Sequence, residues 1–517
     1  LNNANGRFIV RNAILIFGML FVGSGCAEST NASVNIPLET VTFDKNSTST
    51  QTPFRPATDT PFPTLTPSLT PTSTATFTPL PPTRALAATA DLANYELWVN
   101  LDYSGHHLDV KETIQYPNQT GKELPSLVLA VEANRRLGVF QLKALVVDGE
   151  NSDQYTLEGG WLEITLERAL EAGETIILQL DYDLAFPWNG STQVFGYNNW
   201  HLNAVDWYPF IVPYRQGVGW LAYDPANVGE HLVMDAVNFD VIIQQAKPSN
   251  DLQIAASSPA EVKNDGLHYR LEGARTFVFS ASTGYSVSIE TVNGVTVASY
   301  YAIGNQAAGK AILDATVQAI QVYSQVYAPY PHASISIVET YYPDGMEYDG
   351  LFFLSKDFYD EYGGGLLNNL VMIGIHEVAH QWWFGLVGND QAMEPWLDET
   401  LATYSEHIYY ENVSPGLVGY WWNFRVNDFQ PTGKIDVSIY QGGSFRPYTN
   451  AVYLRGAKFM ENLRTRMGDA DFLAFLGDYA GQMSHKIATA DDFFRILYEH
   501  TDADIRDIIA SYFQTGH

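Results

Sequence analysis

A single cysteine, Cys26, occurs in 517 residues, so no disulfide can close within the chain. Positive charge is scarce as well: 28 Lys and Arg stand against 58 Asp and Glu, a formal net charge of −30. A nucleic-acid binder needs a basic face, and this balance argues against that class of partner. The bland consequence of the acid excess is solubility. Long apolar runs are missing too. The one near the start, residues 13–22, falls short of the ~20 residues a membrane-spanning helix needs. What is plentiful is apolar surface. Hydrophobic residues reach 46% and charged residues only 17%, which supports at least one sizeable core and excludes a wholly disordered chain.

The short apolar run has a context. Arg7 and Arg11 precede it, and Gly23-Ser24-Gly25-Cys26 follows. A basic start, a short apolar stretch and small residues before a cut site are the parts of a secretory signal. Small residues ahead of a lone cysteine resemble a bacterial lipoprotein signal, in which the cysteine becomes the lipidated N-terminus. Gly23 departs from that pattern, which usually has a branched aliphatic residue there. Residues 1–26 are read as a signal peptide with Cys26 as the lipidation site; a plain signal with an incidental cysteine is the alternative. The mature protein is expected to be exported to the extracytoplasmic face, held at the cell surface through a lipid anchor in the membrane, or else secreted.

Residues 27–88 are dominated by Ser, Thr, Pro and Asn. They carry too little apolar surface to offset the cost of ordering their backbone, and repeated Pro favours an extended tether. Period-two alternation then begins. Tyr95, Leu97, Val99 and Leu101 share one face, as do Leu162, Ile164 and Leu166, and Ile176, Leu178 and Leu180. Such alternation marks half-buried strands. Asn293-Gly294 between two alternating stretches is a hairpin signal, since that pair supplies the positive φ values of the turn. Residues 89–302 are therefore expected to form an all-β domain. From 303 to 517 the pattern turns helical, with a long amphipathic helix from Ala307, a strand at 334–340, a helix over about 366–384, and another starting near Pro395, whose missing N–H suits a first turn.

His376-Glu377-Val378-Ala379-His380 falls on the second of these helices. Residues four apart share a helix face, so both imidazoles can meet one ion while Glu377 reaches a water bound to it. Taken alone, so short a pattern also fits an ordinary polar helix end. Three observations favour the metal. A catalytic zinc needs a third protein ligand, and Glu399 follows His380 after a gap long enough to bring a second helix alongside. The residues flanking the motif are apolar, so its polar groups need a partner. The lone cysteine, in the signal region, excludes thiolate-rich zinc sites. One Zn²⁺ per chain, held by His376, His380 and Glu399, is expected.

HEVAHQWW, the gap after it, and WLDETLATY resemble the aminopeptidase N-like family of gluzincin zinc metallopeptidases. Gly345-Met346-Glu347-Tyr348 is similar to that family's exopeptidase motif, and Tyr453-Leu454-Arg455-Gly456-Ala457 to the segment carrying its catalytic tyrosine. The resemblance covers roughly residues 90–517. It implies a multidomain α+β fold: an N-terminal all-β saddle-like domain, then a thermolysin-like, mainly helical catalytic domain, in a short form lacking the C-terminal helical domain of longer members. It implies peptide substrates, with Glu377 as general base, Tyr453 donating to the oxyanion, and Glu347 binding the substrate's free amine beside Gly345 and Met346. Asp344, Tyr348 and Thr400 depart from the family pattern, in which Gly, Asn and Gly are usual. Glu406, two helical turns beyond Glu399, is placed to orient a ligand histidine from behind. The leading expectation is a zinc aminopeptidase. A zinc endopeptidase of the same fold and a non-catalytic peptide-binding surface protein are the alternatives.

Overall fold

The computed structural model describes residues 86–516. Cys26, the apolar run before it and nearly all of the tether lie outside the described residues. The first strand, Asn94–Asp102, buries Tyr95, Leu97, Val99 and Leu101 and turns the intervening residues outward, as the alternation requires. It pairs antiparallel with His107–Pro117 and parallel with Val237–Gln245 inside an eight-stranded sheet. A four-stranded sheet containing Leu124–Ala130 and Trp161–Leu170 shares its core. Leu162, Ile164, Leu178 and Leu180 are buried there, each side chain contributing roughly 1.5–3 kcal/mol of transfer free energy.

The Asn293-Gly294 hairpin forms with φ 51 and φ 85 at the two turn residues, the geometry of a tight two-residue turn. Its strands, Tyr285–Val292 and Val295–Ala302, hydrogen-bond into the next sheet. Thr296 to Tyr300 pair in parallel with Ser334 to Val338. By sheet membership the change-over therefore falls near Tyr285, ahead of the expected 302. The cause is packing. Val295, Val297 and Tyr301 belong to the second core, with Ile312, Leu313 and Ile320 of α1 (Gln306–Val326). Gly309 of α1 lies so close to the Tyr301 ring that a Cβ would overlap it.

This second sheet has five strands, and its edge is Gly345–Tyr348, antiparallel to Leu351–Ser355. After the short α2 (Lys356–Asp360), the Asn368 side chain accepts the Val371 N–H and starts α3 (Asn369–Ala379). That helix is shorter than expected. His380 caps it, and the chain turns away through Phe384 at φ 140, which no helix admits. Pro395 directly precedes α4 (Trp396–Val413), as its type suggests. Two π-helical turns follow, Trp422–Val426 and Asn450–Arg455. No helix among the described residues is long and apolar enough to cross a membrane.

Candidate metal centre and active site

His376 and Glu377 sit in the last turn of α3, His380 at its cap, and Glu399 in the first turn of α4. All are buried. The two helices bring His376 Nε2 to 3.2 Å from Glu399 Oε2, His380 Nε2 to 3.5 Å from the same oxygen, and the two Nε2 atoms to 3.1 Å from each other.

What lies behind the rings sets their protonation. His376 Nδ1 is 3.0 Å from Glu406 Oε1, and His380 Nδ1 is 2.9 Å from the Trp383 carbonyl. Both partners accept only, so each Nδ1 carries the proton and donates it. A neutral ring so committed leaves its Nε2 as a lone pair. Two lone pairs and a carboxylate oxygen then converge on one point, and a cation is the species that satisfies all three. The donor set of two imidazoles and one carboxylate suits a catalytic zinc, with a position left for water or substrate.

The charges around the centre also call for a cation. Burial works against a charged His380 ring, but Glu347, Glu399 and Glu377 outweigh it and hold its pKa well above the usual histidine range, so without a metal a second proton occupies the ring, and a bound metal would displace it. Burial likewise opposes a charged Glu399, yet hydrogen bonds with His376 and His380 keep its carboxyl well below the ordinary carboxylate value. Glu406 is fully enclosed. Arg425 donates to it from Nε at 2.9 Å and from Nη2 at 2.8 Å, and Trp421 Nε1 donates at 2.9 Å. Burial would push Glu406 up, but the Arg425 charge overrides it and the carboxyl stays ionised.

The remaining predicted residues gather in one cleft of about 260 Å³. Glu377 lines it, with Oε2 buried and without a hydrogen-bond partner among the described residues. Burial first, and the Glu347 charge second, raise its pKa well above the ordinary glutamate value. Glu347, on the edge strand, offers an oxygen within 4.8 Å of ligand atoms of Glu377 and His380. Gly345 brings that strand so close to α3 that a Cβ there would overlap Glu377 Oε1. Met346 lines the same wall. Tyr453, on the second π-turn, stacks on His376 with ring centroids 6.0 Å apart at 12°. Thr400 donates to the Val452 carbonyl at 2.6 Å and ties that turn to α4.

The cleft also holds residues that sequence reasoning did not single out. Glu230 enters from the loop before strand Val237–Gln245, and Tyr448 presents a buried hydroxyl with no partner among the described residues. Glu230 is raised well above its ordinary value by burial and by Glu347. Gln391 donates to Asp398 Oδ2 at 3.0 Å and lies 3.5 Å from Glu347 Oε1. Asp344 lines the cleft beside Gly345, and desolvation by the surrounding walls pushes its carboxyl up to about 7. Glu230, Gln391 and Tyr448 stand in no periodic pattern and at no spacing tied to the motif, whereas Asp344 and Asp398 adjoin motif residues but carry no expected role there.

Residues 311–512 match the family described as the peptidase family M1 domain. Aminopeptidase M1-B of Oryza sativa subsp. japonica is 24% identical over 240 residues, which are 43% of this chain and 27% of that protein. Aminopeptidase N of Lactobacillus helveticus is 22% identical over 297 residues, 53% of this chain and 35% of that one. The matches thus span between a quarter and about a third of these curated relatives' length. A crystal structure of an M1 zinc metallopeptidase from Deinococcus radiodurans superposes with a TM-score of 0.61 at 19% identity, covering 82% of this chain and 94% of that one.

Proposed function

We propose that this chain, which carries a peptidase family M1 domain of the aminopeptidase N-like, gluzincin kind, is a zinc-dependent aminopeptidase that removes N-terminal residues from oligopeptides. One observation carries the reading. Two imidazoles whose protons are committed elsewhere converge with a carboxylate on a single point, beside a free glutamate oxygen.

His376, His380 and Glu399 would hold a zinc ion, which when bound would supply a more acidic water and a polarised scissile carbonyl. Glu377, whose Oε2 has no other partner, accepts the water's proton and passes it to the leaving amine. The Tyr453 hydroxyl donates to the oxygen that gains charge in the transition state, a contribution of about 3–4 kcal/mol for a well-aimed donor. Glu347 receives the substrate's α-ammonium and fixes the first residue against the catalytic atoms. Burial makes that carboxylate costly to leave unpaired, so a cationic partner is favoured there.

The test uses residues 86–517, one fluorogenic peptide with a free amine, and its N-acetylated twin, each with and without a zinc chelator. Cleavage of the free peptide alone, abolished by chelator and restored by Zn²⁺, is expected. Glu347→Ala should remove most of that activity. Cleavage of both peptides would make the protein an endopeptidase, and no cleavage by a zinc-loaded, folded protein would leave only a peptide binder. Export and lipidation at Cys26 belong to the same proposal. They are supported by Arg7, Arg11 and the small residues before the cysteine, and are tested by mass spectrometry of the mature N-terminus.

A further inference from the structure

The edge strand that carries Glu347 also gives the substrate a direction. Glu347 lies on the His380 side of the centre, its oxygen within reach of His380 and Glu377. Gly345, two residues earlier, is already against Glu377, the group that serves the scissile bond. Asp344 comes next and has His376, Glu399 and Arg425 as its charged neighbours. A peptide whose amine sits at Glu347 and whose scissile carbonyl sits at Glu377 must send its leaving part toward Asp344. Asp344 lies in the bend immediately before the strand, and one residue of extended chain spans about 3.3 Å, so Asp344 stands roughly one substrate residue beyond the bond that breaks.

The Asp344 carboxylate is half-buried in the cleft wall. Oδ1 accepts the Gly345 N–H at 3.0 Å. No Lys, Arg or His among the described residues comes within ion-pair distance of it, whereas Glu406 nearby is gripped by Arg425. An acid that faces the cleft with Arg425 and His376 only at longer range, and no direct ion pair among the described residues, is available to a guest.

We propose that Asp344 is a specificity-determining residue that selects substrates with a lysine or arginine immediately after the scissile bond. The inference rests on the aminopeptidase reading for the direction of the peptide. The guest's ammonium or guanidinium pairs with the Asp344 carboxylate at the leaving side, while the α-ammonium pairs with Glu347.

The test is binding, so that it does not depend on turnover. Zinc-loaded Glu377→Gln protein is titrated calorimetrically with Ala-Lys-Ala, Ala-norleucine-Ala and Lys-Ala-Ala. Ala-Lys-Ala is expected to bind about tenfold more tightly than its norleucine twin, the scale of one partly desolvated ion pair. Adding Asp344→Asn should bring that ratio near one, and Asp344→Glu should restore part of it. Equal affinities, a ratio that survives Asp344→Asn, no binding of any peptide, or a gain that appears in Lys-Ala-Ala instead would each overturn the assignment. An Ala-Lys-Ala preference that is lost in Asp344→Asn, found in a protein whose wild type cleaves nothing, would sink the proposed activity and keep Asp344 as a selector.

Discussion

Glu406 never touches the convergence point, yet its charge decides whether His376 offers a lone pair there. Consider Glu406→Gln. The carboxylate now takes hydrogen bonds from His376 Nδ1, Arg425 Nε and Nη2, and Trp421 Nε1, shared between two oxygens with no exposed surface. An amide replaces one of those oxygens with a donor, so at least one buried N–H is left facing another N–H, at a cost of about 1–3 kcal/mol. The charge that fixes the His376 proton is also lost, and removal of such a partner typically weakens metal binding about 10–100-fold, or roughly 1.4–2.7 kcal/mol. Competition with a calibrated zinc chelator reads the second quantity, and denaturant unfolding of the metal-free protein reads the first. Arg425→Met should behave differently. It leaves Glu406 charged but uncompensated, which destabilises the metal-free fold by about 3–5 kcal/mol. The acceptor behind His376 is kept, so zinc should restore more thermal stability to Arg425→Met than to wild type. A Glu406→Gln protein that binds zinc within twofold of wild type would refute the role of the carboxylate. Equal zinc-induced shifts in Arg425→Met and wild type would refute the electrostatic account.

Three further outcomes follow from particular contacts. Gly345→Ala should lower kcat by more than tenfold, because the added methyl displaces the Glu377 carboxylate and a misplacement of about 1 Å can cost 10²-fold, and should cost about 1–3 kcal/mol because the methyl also presses on buried Ile373; steady-state kinetics beside a melting curve checks both halves. Thr400→Val leaves the Val452 carbonyl without its donor, so it should cost about 1–3 kcal/mol and lower kcat more than it raises KM, as Tyr453 loses its anchor. Glu112 is buried in the β half with no charged partner and only the Tyr182 hydroxyl beside it, and burial raises its pKa well above 4.5. Its folded form therefore holds a proton that its unfolded form releases. The stability this carboxyl contributes is complete below about 4.5 and fades as pH rises through the raised folded value. Glu112→Gln carries no such loss and should gain on wild type by up to about 1.4 kcal/mol per pH unit above 4.5; urea titrations at several pH values that give a constant difference would contradict this.

The strands were legible because period two is local: Tyr95, Leu97, Val99 and Leu101 announce their face without reference to a partner. The sheet to which a strand belongs is not local. The 285–302 hairpin alternates in the same way whichever sheet receives it. Its partner, Ser334–Thr340, comes only after the whole of α1, and parallel pairing of this kind leaves no turn signal between the strands. The length of α3 was misjudged for a related reason. Trp382, Trp383 and Leu386 continue the apolar run, but they are buried by the turn that follows the helix rather than by the helix itself.

The centre shows the same division. His376, Glu377 and His380 announce themselves by helical spacing, Glu399 by a plausible gap, and Glu347 and Tyr453 only through resemblance. Arg425 and Trp421, which hold Glu406, sit in and beside a π-helical turn whose side chains follow no 3.6-residue face. Glu230 reaches the cleft from the other half of the chain. The acid excess was the one global hint, and read as composition it says only that the surface is solvated. Its local meaning appears when Glu230, Asp344, Glu347 and Glu377 are found around Glu399 in one cleft, with Asp398 buried next to Glu399 behind it, none of them ion-paired with a Lys or Arg among the described residues. Such a group is tolerable only if protons or cations arrive. Burial already raises the pKa of Glu230, Glu377 and Asp398, and a divalent ion together with a substrate's ammonium would supply the rest. Keeping these carboxylates together costs fold stability, and on the proposed function it is this stored demand for positive charge, rather than the spacing of the motif, that would suit the cleft to a metal and an amine at once.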